Sequence, residues 1–135
     1  MPSPSSANLP PSAFRLPPSQ APAFLPAAYI AESQPRIQAY RRLAEVTTQE
    51  QLDALRKTWR DRFGPLPEAA ENLHAMTEIK LAAAARKITI VEAREGKLML
   101  TRGGDYILIG GKFPRLSAAG PTPRLREMLT MLRGL

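Results

Sequence analysis

Leu52, Leu55, Trp59 and Phe63 recur at spacings of three and four, which places them on one stripe of a helix. Gly64 follows where a helix commonly ends in a left-handed residue, and Pro65 lacks the N–H needed to continue it. The pattern therefore predicts a helix that stops at Phe63 and turns a corner. Pro67 suits the first turn of the next helix, and Glu68 and Glu71 complement the positive end of its dipole. This second helix carries Leu73, Met76, Ile79, Leu81 and Ala83 toward a core, with Arg86 and Lys87 near its C-terminal end. Upstream of Leu52, Thr48-Gln49-Glu50-Gln51 fits a capping box. Farther upstream, Ser33 as N-cap and Pro35 in the first turn predict a helix over 34–45. Ile37, Tyr40, Leu43 and Ala44 are its expected buried positions, and Arg36, Arg41 and Arg42 its wetter side.

After Lys87 the period changes from about 3.6 to 2. Ile88-Thr89-Ile90-Val91-Glu92-Ala93 alternates and is rich in β-branched residues, Glu95-Gly96 offers a turn, and Lys97-Leu98-Met99-Leu100-Thr101 answers it. Gly103-Gly104 turns into a third strand, Asp105 to Ile109, which makes an antiparallel meander. Gly110-Gly111 is expected to free the chain, and Phe113-Pro114-Arg115-Leu116 to cover a sheet edge or the core rim. Thr122-Pro123 is expected to cap a last helix with Leu125, Met128, Leu129 and Leu132 inward. The fold class is α+β: about four helices packed on one face of a small three-stranded antiparallel sheet.

Composition changes this picture only at the N-terminus. Eight of the 14 prolines fall within residues 1–26, and residues 1–23 are dominated by Pro, Ser and Ala. Such a segment buries too little apolar surface to offset its ordering entropy, so the expectation is a disordered leader over 1–23 and a folded domain over 24–135. The net charge is +7, and all of it arises after residue 35. That excess fits a partner bearing negative charge, either nucleic acid or an acidic protein face. Without cysteine there is no disulfide and no thiolate metal site. No apolar run approaches the ~20 residues of a membrane helix, and the N-terminus lacks the basic start and apolar stretch of a secretory signal.

Candidate chemistry is sparse. Gly103-Gly104 and Gly110-Gly111 read as turns, since no Gly-Lys-Ser or Gly-Lys-Thr follows and neither opens a helix. Phe113 after Gly111-Lys112 removes the hydroxyl that a nucleotide-bound magnesium would need. The single histidine, His74, reads as a surface or rim residue, with no serine or cysteine to pair with it. Glu68/Glu71 and Glu92/Glu95 read as dipole complement and strand-end solvation, because no second element supplies a converging group. Trp59 lies on the apolar stripe and reads as core, whereas Asp61 and Arg62 flank that stripe at the corner. The reading is of a chain that is no enzyme, with no catalytic residue, no cofactor and no metal ligand.

A string of residues then resembles a known family. Leu25-Pro26-Ala27-Ala28-Tyr29-Ile30, Arg36, Tyr40-Arg41-Arg42-Leu43-Ala44, Leu52, Leu55, Asp61-Arg62-Phe63-Gly64-Pro65-Leu66-Pro67-Glu68 and Asn72-Leu73 are similar to the C-terminal domain of bacterial transcription-repair coupling factor (Mfd). The similarity runs from about residue 24 to Ile88, and more loosely through Phe113-Pro114-Arg115-Leu116 to the end. The motif residues Tyr29, Arg36, Tyr40, Leu43, Asp61, Arg62, Phe63, Gly64, Pro65 and Pro67 carry over mainly as caps and core, and no partner-binding residue carries over with them.

The resemblance implies a bacterial, cytoplasmic context in transcription-coupled DNA repair. The family's full-length protein is an ATP-driven translocase on double-stranded DNA that displaces stalled RNA polymerase and recruits UvrA. This chain shows no Walker or helicase motif. What the resemblance implies is the regulatory module that folds against the UvrA-binding module, in cis or in trans, with indirect links to RNA polymerase, UvrA and DNA. No membrane and no small-molecule substrate enter. The expectation leaves open a piece of a longer protein or a free-standing relative. Two other functions also stay open: a small basic nucleic-acid-binding protein, and a non-functional remnant of a larger translocase.

Overall fold

A computed structural model describes residues 21–135. The element order among them is α1 (Ser33–Ala44), α2 (Gln49–Phe63), α3 (Glu68–Ala85), β1 (Ile90–Arg94), β2 (Lys97–Arg102), β3 (Asp105–Tyr106) and α4 (Pro121–Arg133). Residues 1–20 of the expected leader lie outside the described residues. Its last residues touch the domain: Ala21 is buried, and the Pro22 carbonyl accepts a hydrogen bond from Asn72 Nδ2 at 2.8 Å.

Local signals explain both ends of α2. At the start of α2, Thr48 Oγ1 accepts from the Gln51 N–H at 3.1 Å. The reciprocal arm falls one residue earlier than the capping-box pattern has it, because Gln51 Oε1 accepts from the N–H of Thr47 at 2.8 Å. Helix α2 ends at Phe63, and Gly64 adopts φ +93° and ψ −174°, a region open almost only to glycine. Gly64→Ala is therefore expected to cost about 1–3 kcal/mol. The cost is conformational alone, since an added Cβ would meet nothing within 4 Å. A urea midpoint followed by circular dichroism checks it, and a loss within about 0.5 kcal/mol would show that the corner relaxes around the new side chain.

Four boundary expectations are corrected. Pro67 is the N-cap of α3 and not a first-turn residue; its carbonyl accepts from the N–H of Glu71 at 2.9 Å. Ser33 lies inside α1, and Glu32 occupies the cap position without a side-chain bond. Thr122 lies inside α4, where its hydroxyl donates to Glu68 Oε2 at 2.6 Å and so ties α4 to the start of α3. Gly110-Gly111 does not free the chain. With φ values of +60° and +78° it closes a tight turn in which Ile109 pairs with Lys112.

The sheet order is β1-β2-β3, antiparallel throughout, with Ile90 opposite Thr101 and Arg94 opposite Lys97. β1 starts two residues later than the alternation suggested, and β3 is two residues long. The rest of the third edge comes from the expected 113–116 segment: Pro114 O accepts from Leu98 N–H at 2.8 Å, and Leu116 N–H donates to Gly96 O at 2.7 Å.

Two cores sit on opposite sides of α3. In the first, Val91, Leu98 and Leu100 of the sheet meet Ala75, Ile79 and Ala83 of α3 and Leu125, Met128, Leu129 and Leu132 of α4. In the second, Leu52 and Trp59 of α2 meet Ala39 and Leu43 of α1, Ala70 of α3, and Leu25 and Ile30 of the entry segment. The sheet thus packs on α3 and α4, while α1 and α2 cover the far side of α3. This sandwiching corrects the reading of His74 as a surface residue. A helix wetted on one face would expose position 74, but α3 is covered on both, and His74 is 2% exposed. It also explains why Asn72, two positions away, is buried and bonded to Pro22 and Thr122.

Candidate functional site

The segment from Phe24 to Ile30 has no regular structure of its own, so its backbone groups need partners. The motif side chains supply them. Tyr40 Oη accepts from the Leu25 N–H at 2.8 Å, and Arg36 Nη1 donates to the Ile30 carbonyl at 2.9 Å. Tyr29 Oη donates to the carbonyls of Gly64 at 2.9 Å and Trp59 at 3.2 Å, which locks the entry segment onto the α2–α3 corner. Burial raises the Tyr29 pKa above its ordinary value, and the Glu71 carboxylate adds to the effect. Tyr40 is itself exposed, as are Ile37 and Ala44, so of the four positions expected to be buried α1 buries only Leu43, together with Ala39. The helix turns its 39/43 stripe to α2 and leaves the 37/40/44 side to solvent.

At the corner, Phe63 is half-buried, with the Tyr29 ring edge-on at 5.8 Å and the Arg62 guanidinium 5.0 Å from its ring centroid. Asp61, Arg62 and Pro65 are exposed. The motif residues therefore divide. Tyr29, Arg36, Tyr40, Leu43, Phe63, Gly64 and Pro67 build the scaffold, and Asp61 and Arg62 face solvent beside it.

Next to that corner, α1 and α2 part to leave an open groove of about 610 Å³. Ala39, Leu55, Trp59 and Phe63 line it with apolar surface, and Gln34, Gln38, Thr58, Arg42 and Arg62 supply its polar atoms. The volume lies within the range of clefts that hold ligands or a few side chains. No carboxylate lines it. Sequence reasoning singled out Trp59, Arg62 and Phe63 but placed Arg42 only on a wet helix face. The spacing 34, 38, 42 on α1 was the available signal, a polar row one helical turn apart beside Ala39.

Behind the groove, His74 stands edge-on to Trp59 with ring centroids 4.6 Å apart, and neither ring nitrogen has a hydrogen-bond partner. Desolvation, aided by the Arg56 guanidinium and opposed by Glu71 and Asp53, pulls its pKa from 6.5 to about 4. The imidazole is neutral at pH 7 and buried away from the groove surface, which suits packing and not proton transfer. Among the described residues no group of three or more His, Asp or Glu side chains is placed to hold a metal ion. No described helix is long and apolar enough to cross a membrane.

Comparison with known proteins then decides the family. The TRCF domain model matches residues 19–105, from ahead of the entry segment to the start of β3. The chain belongs to the TRCF domain family. The transcription-repair-coupling factor of Staphylococcus haemolyticus is 39% identical over 70 residues, 52% of this chain and 6% of that protein. The Haemophilus influenzae protein is 35% identical over 72 residues, again 6% of its length, and that of Myxococcus xanthus 26% over 91 residues, 8% of its length. This chain thus spans about 6–8% of the curated relatives it matches. A crystal structure of the C-terminal domain of transcription-repair coupling factor superposes with a TM-score of 0.62 at 22% identity, covering 67% of this chain and 55% of that one, a likeness of fold. The TRCF match ends before α4, so the helix that closes the first core lies outside the family model.

Proposed function

We propose that this TRCF domain is a non-catalytic, cytoplasmic protein-interaction module of transcription-coupled nucleotide excision repair. Its action is competitive masking: the domain covers a UvrA-binding module, in cis or in trans, until a conformational change releases it. Membership of the family is the observation that carries this reading. The site chemistry is in keeping with it, because Tyr29, Arg36 and Tyr40 go to scaffold bonds and the groove beside them is lined by no histidine, carboxylate or lysine. An interface of modest area and mixed polarity suits reversible masking better than an obligate apolar one.

Calorimetric titration of the chain into the isolated UvrA-binding module, at two salt concentrations and with duplex DNA in parallel, tests the proposal. Saturable binding to the module that UvrA competes away is the expected result. The charge of +7 favours one rival, a basic nucleic-acid binder. No heat with the module together with DNA binding that weakens log-linearly with salt would replace the masking role by that rival.

A further inference from the structure

We propose that the α1–α2 groove is the docking site for a peptide segment in which carboxylates flank an apolar anchor. This rests on reading the domain as an interaction module, but not on which partner it masks. Seven arginines of the domain are engaged within it. Arg56 pairs with Glu71, Arg133 with Glu78 and Arg94 with Glu92. Arg36, Arg86, Arg102 and Arg124 donate to backbone carbonyls of the domain itself. Arg42 and Arg62 are in no ion pair among the described residues, a state they share with Arg41, Arg60, Arg115 and Arg126, but these two alone of that set line the groove, one on each side. Residues 1–20 contain no Asp or Glu, so that segment has no side-chain carboxylate to offer them.

The groove therefore presents two uncompensated guanidinium groups over an apolar floor whose accessible part is Leu55 and Phe63, both half-buried, with Ala39 and Trp59 packed beneath. The Arg62 guanidinium carbon lies 5.0 Å from the Phe63 ring centroid, a cation–π contact that uses the ring face and none of the guanidinium N–H donors. Guanidinium forks match carboxylates, and the apolar floor between them asks for a hydrocarbon side chain. A nucleic-acid strand fits less well, because base stacking needs an open aromatic face and Trp59 is only 2% exposed. The volume of about 610 Å³ suits a short segment better than a second copy of the whole domain.

Trp59 is the only tryptophan of the chain and lines the groove, so its fluorescence reports occupancy without a label. The probes are a synthetic peptide with leucines at helical spacing flanked by glutamates, and the same peptide with glutamine in place of glutamate. Saturable binding of the glutamate peptide is expected, weakened about three- to fivefold by Arg42→Gln and by Arg62→Gln singly, with the glutamine peptide weaker still. Arg126→Gln, an exposed change on α4, is expected to leave binding intact. Both groove arginines are exposed, so the variants are expected to keep the wild-type circular dichroism and melting temperature.

Equal binding of the two peptides, or no effect of either groove variant, overturns the proposal. So does a silent Trp59 with no amide shifts in α1 and α2 by NMR. Duplex DNA competing through the same two arginines would make this a phosphate site instead. Self-association abolished by Arg42→Glu would make it a contact between copies. If the peptide fails while the UvrA-binding module still binds, this inference falls and masking stands; the opposite pair of results removes masking and leaves the groove.

Discussion

Trp59→Ala is expected to remove about 3–5 kcal/mol of stability, the usual range for deleting a large buried aromatic ring. Trp59 is 2% exposed and sits where α1, α2 and α3 converge, among Leu25, Ile30, Ala39, Leu43, Leu52 and Ala70. Two costs combine: the apolar surface of the indole is no longer buried, and the space it leaves has rigid walls that collapse only in part. The indole also packs edge-on to His74, so truncation removes the aromatic partner of an imidazole whose nitrogens have no hydrogen-bond partner. Domains of this size commonly have only about 5–15 kcal/mol in all, so the variant is expected to sit near its unfolding threshold at 37 °C. Urea unfolding followed by far-ultraviolet circular dichroism is the measurement, since the fluorescent reporter is gone. A loss below about 1 kcal/mol would mean that the second core does not depend on this ring.

Acidification is expected to destabilise the domain between pH 6.5 and about 4 through His74. In the unfolded chain the imidazole takes up a proton near pH 6.5, whereas in the folded protein it stays neutral until about pH 4. Within that window the unfolded state binds more protons, so stability is full above pH 6.5 and falls with pH. At about 1.4 kcal/mol per pH unit the loss reaches roughly 3 kcal/mol by pH 4. His74→Leu isolates the effect. It removes two buried nitrogens that have no partner, so at pH 7.5 its stability is expected to match or exceed that of the wild type. Its unfolding free energy is expected to decline less steeply than that of the wild type between pH 6.5 and about 4. Glu127 also loses stabilising bonds in acid, because the Ser117 and Ala118 N–H groups hold its carboxyl below the usual range. That contribution is common to both proteins and cancels in their difference. Parallel pH profiles for the two proteins would show that His74 takes up its proton without cost.

The DNA-repair context of the TRCF family gives the +7 charge two different meanings. If the domain contacted DNA, the basic side chains would work as a phosphate-facing field. In the structure seven arginines, Arg36, Arg56, Arg86, Arg94, Arg102, Arg124 and Arg133, bond to intramolecular carbonyls or carboxylates, and Arg42 and Arg62 stand beside the apolar surface of the groove. The parallel titrations with duplex DNA and with the glutamate peptide separate the two meanings.

What the sequence by itself determined was local. The end of α2 at Phe63, the glycine turns at 95–96 and 103–104 and the inward stripe of α4 each follow from the conformational limits or spacing of residues adjacent in the chain, as does the resemblance carried by Asp61 to Pro67. Tertiary structure decided what lies on the second side of each element. His74 and Asn72 are buried because α3 has cores on both faces, a condition no single helical stripe announces. Tyr40, expected inside, is exposed and bonds the Leu25 N–H, because an irregular entry segment must borrow partners from distant side chains. The groove arises only where α1 and α2 part, and the uncompensated charge of Arg42 and Arg62 depends on where carboxylates far away in sequence come to rest. Periodicity reads one element against water, and a site between elements depends on how two of them meet.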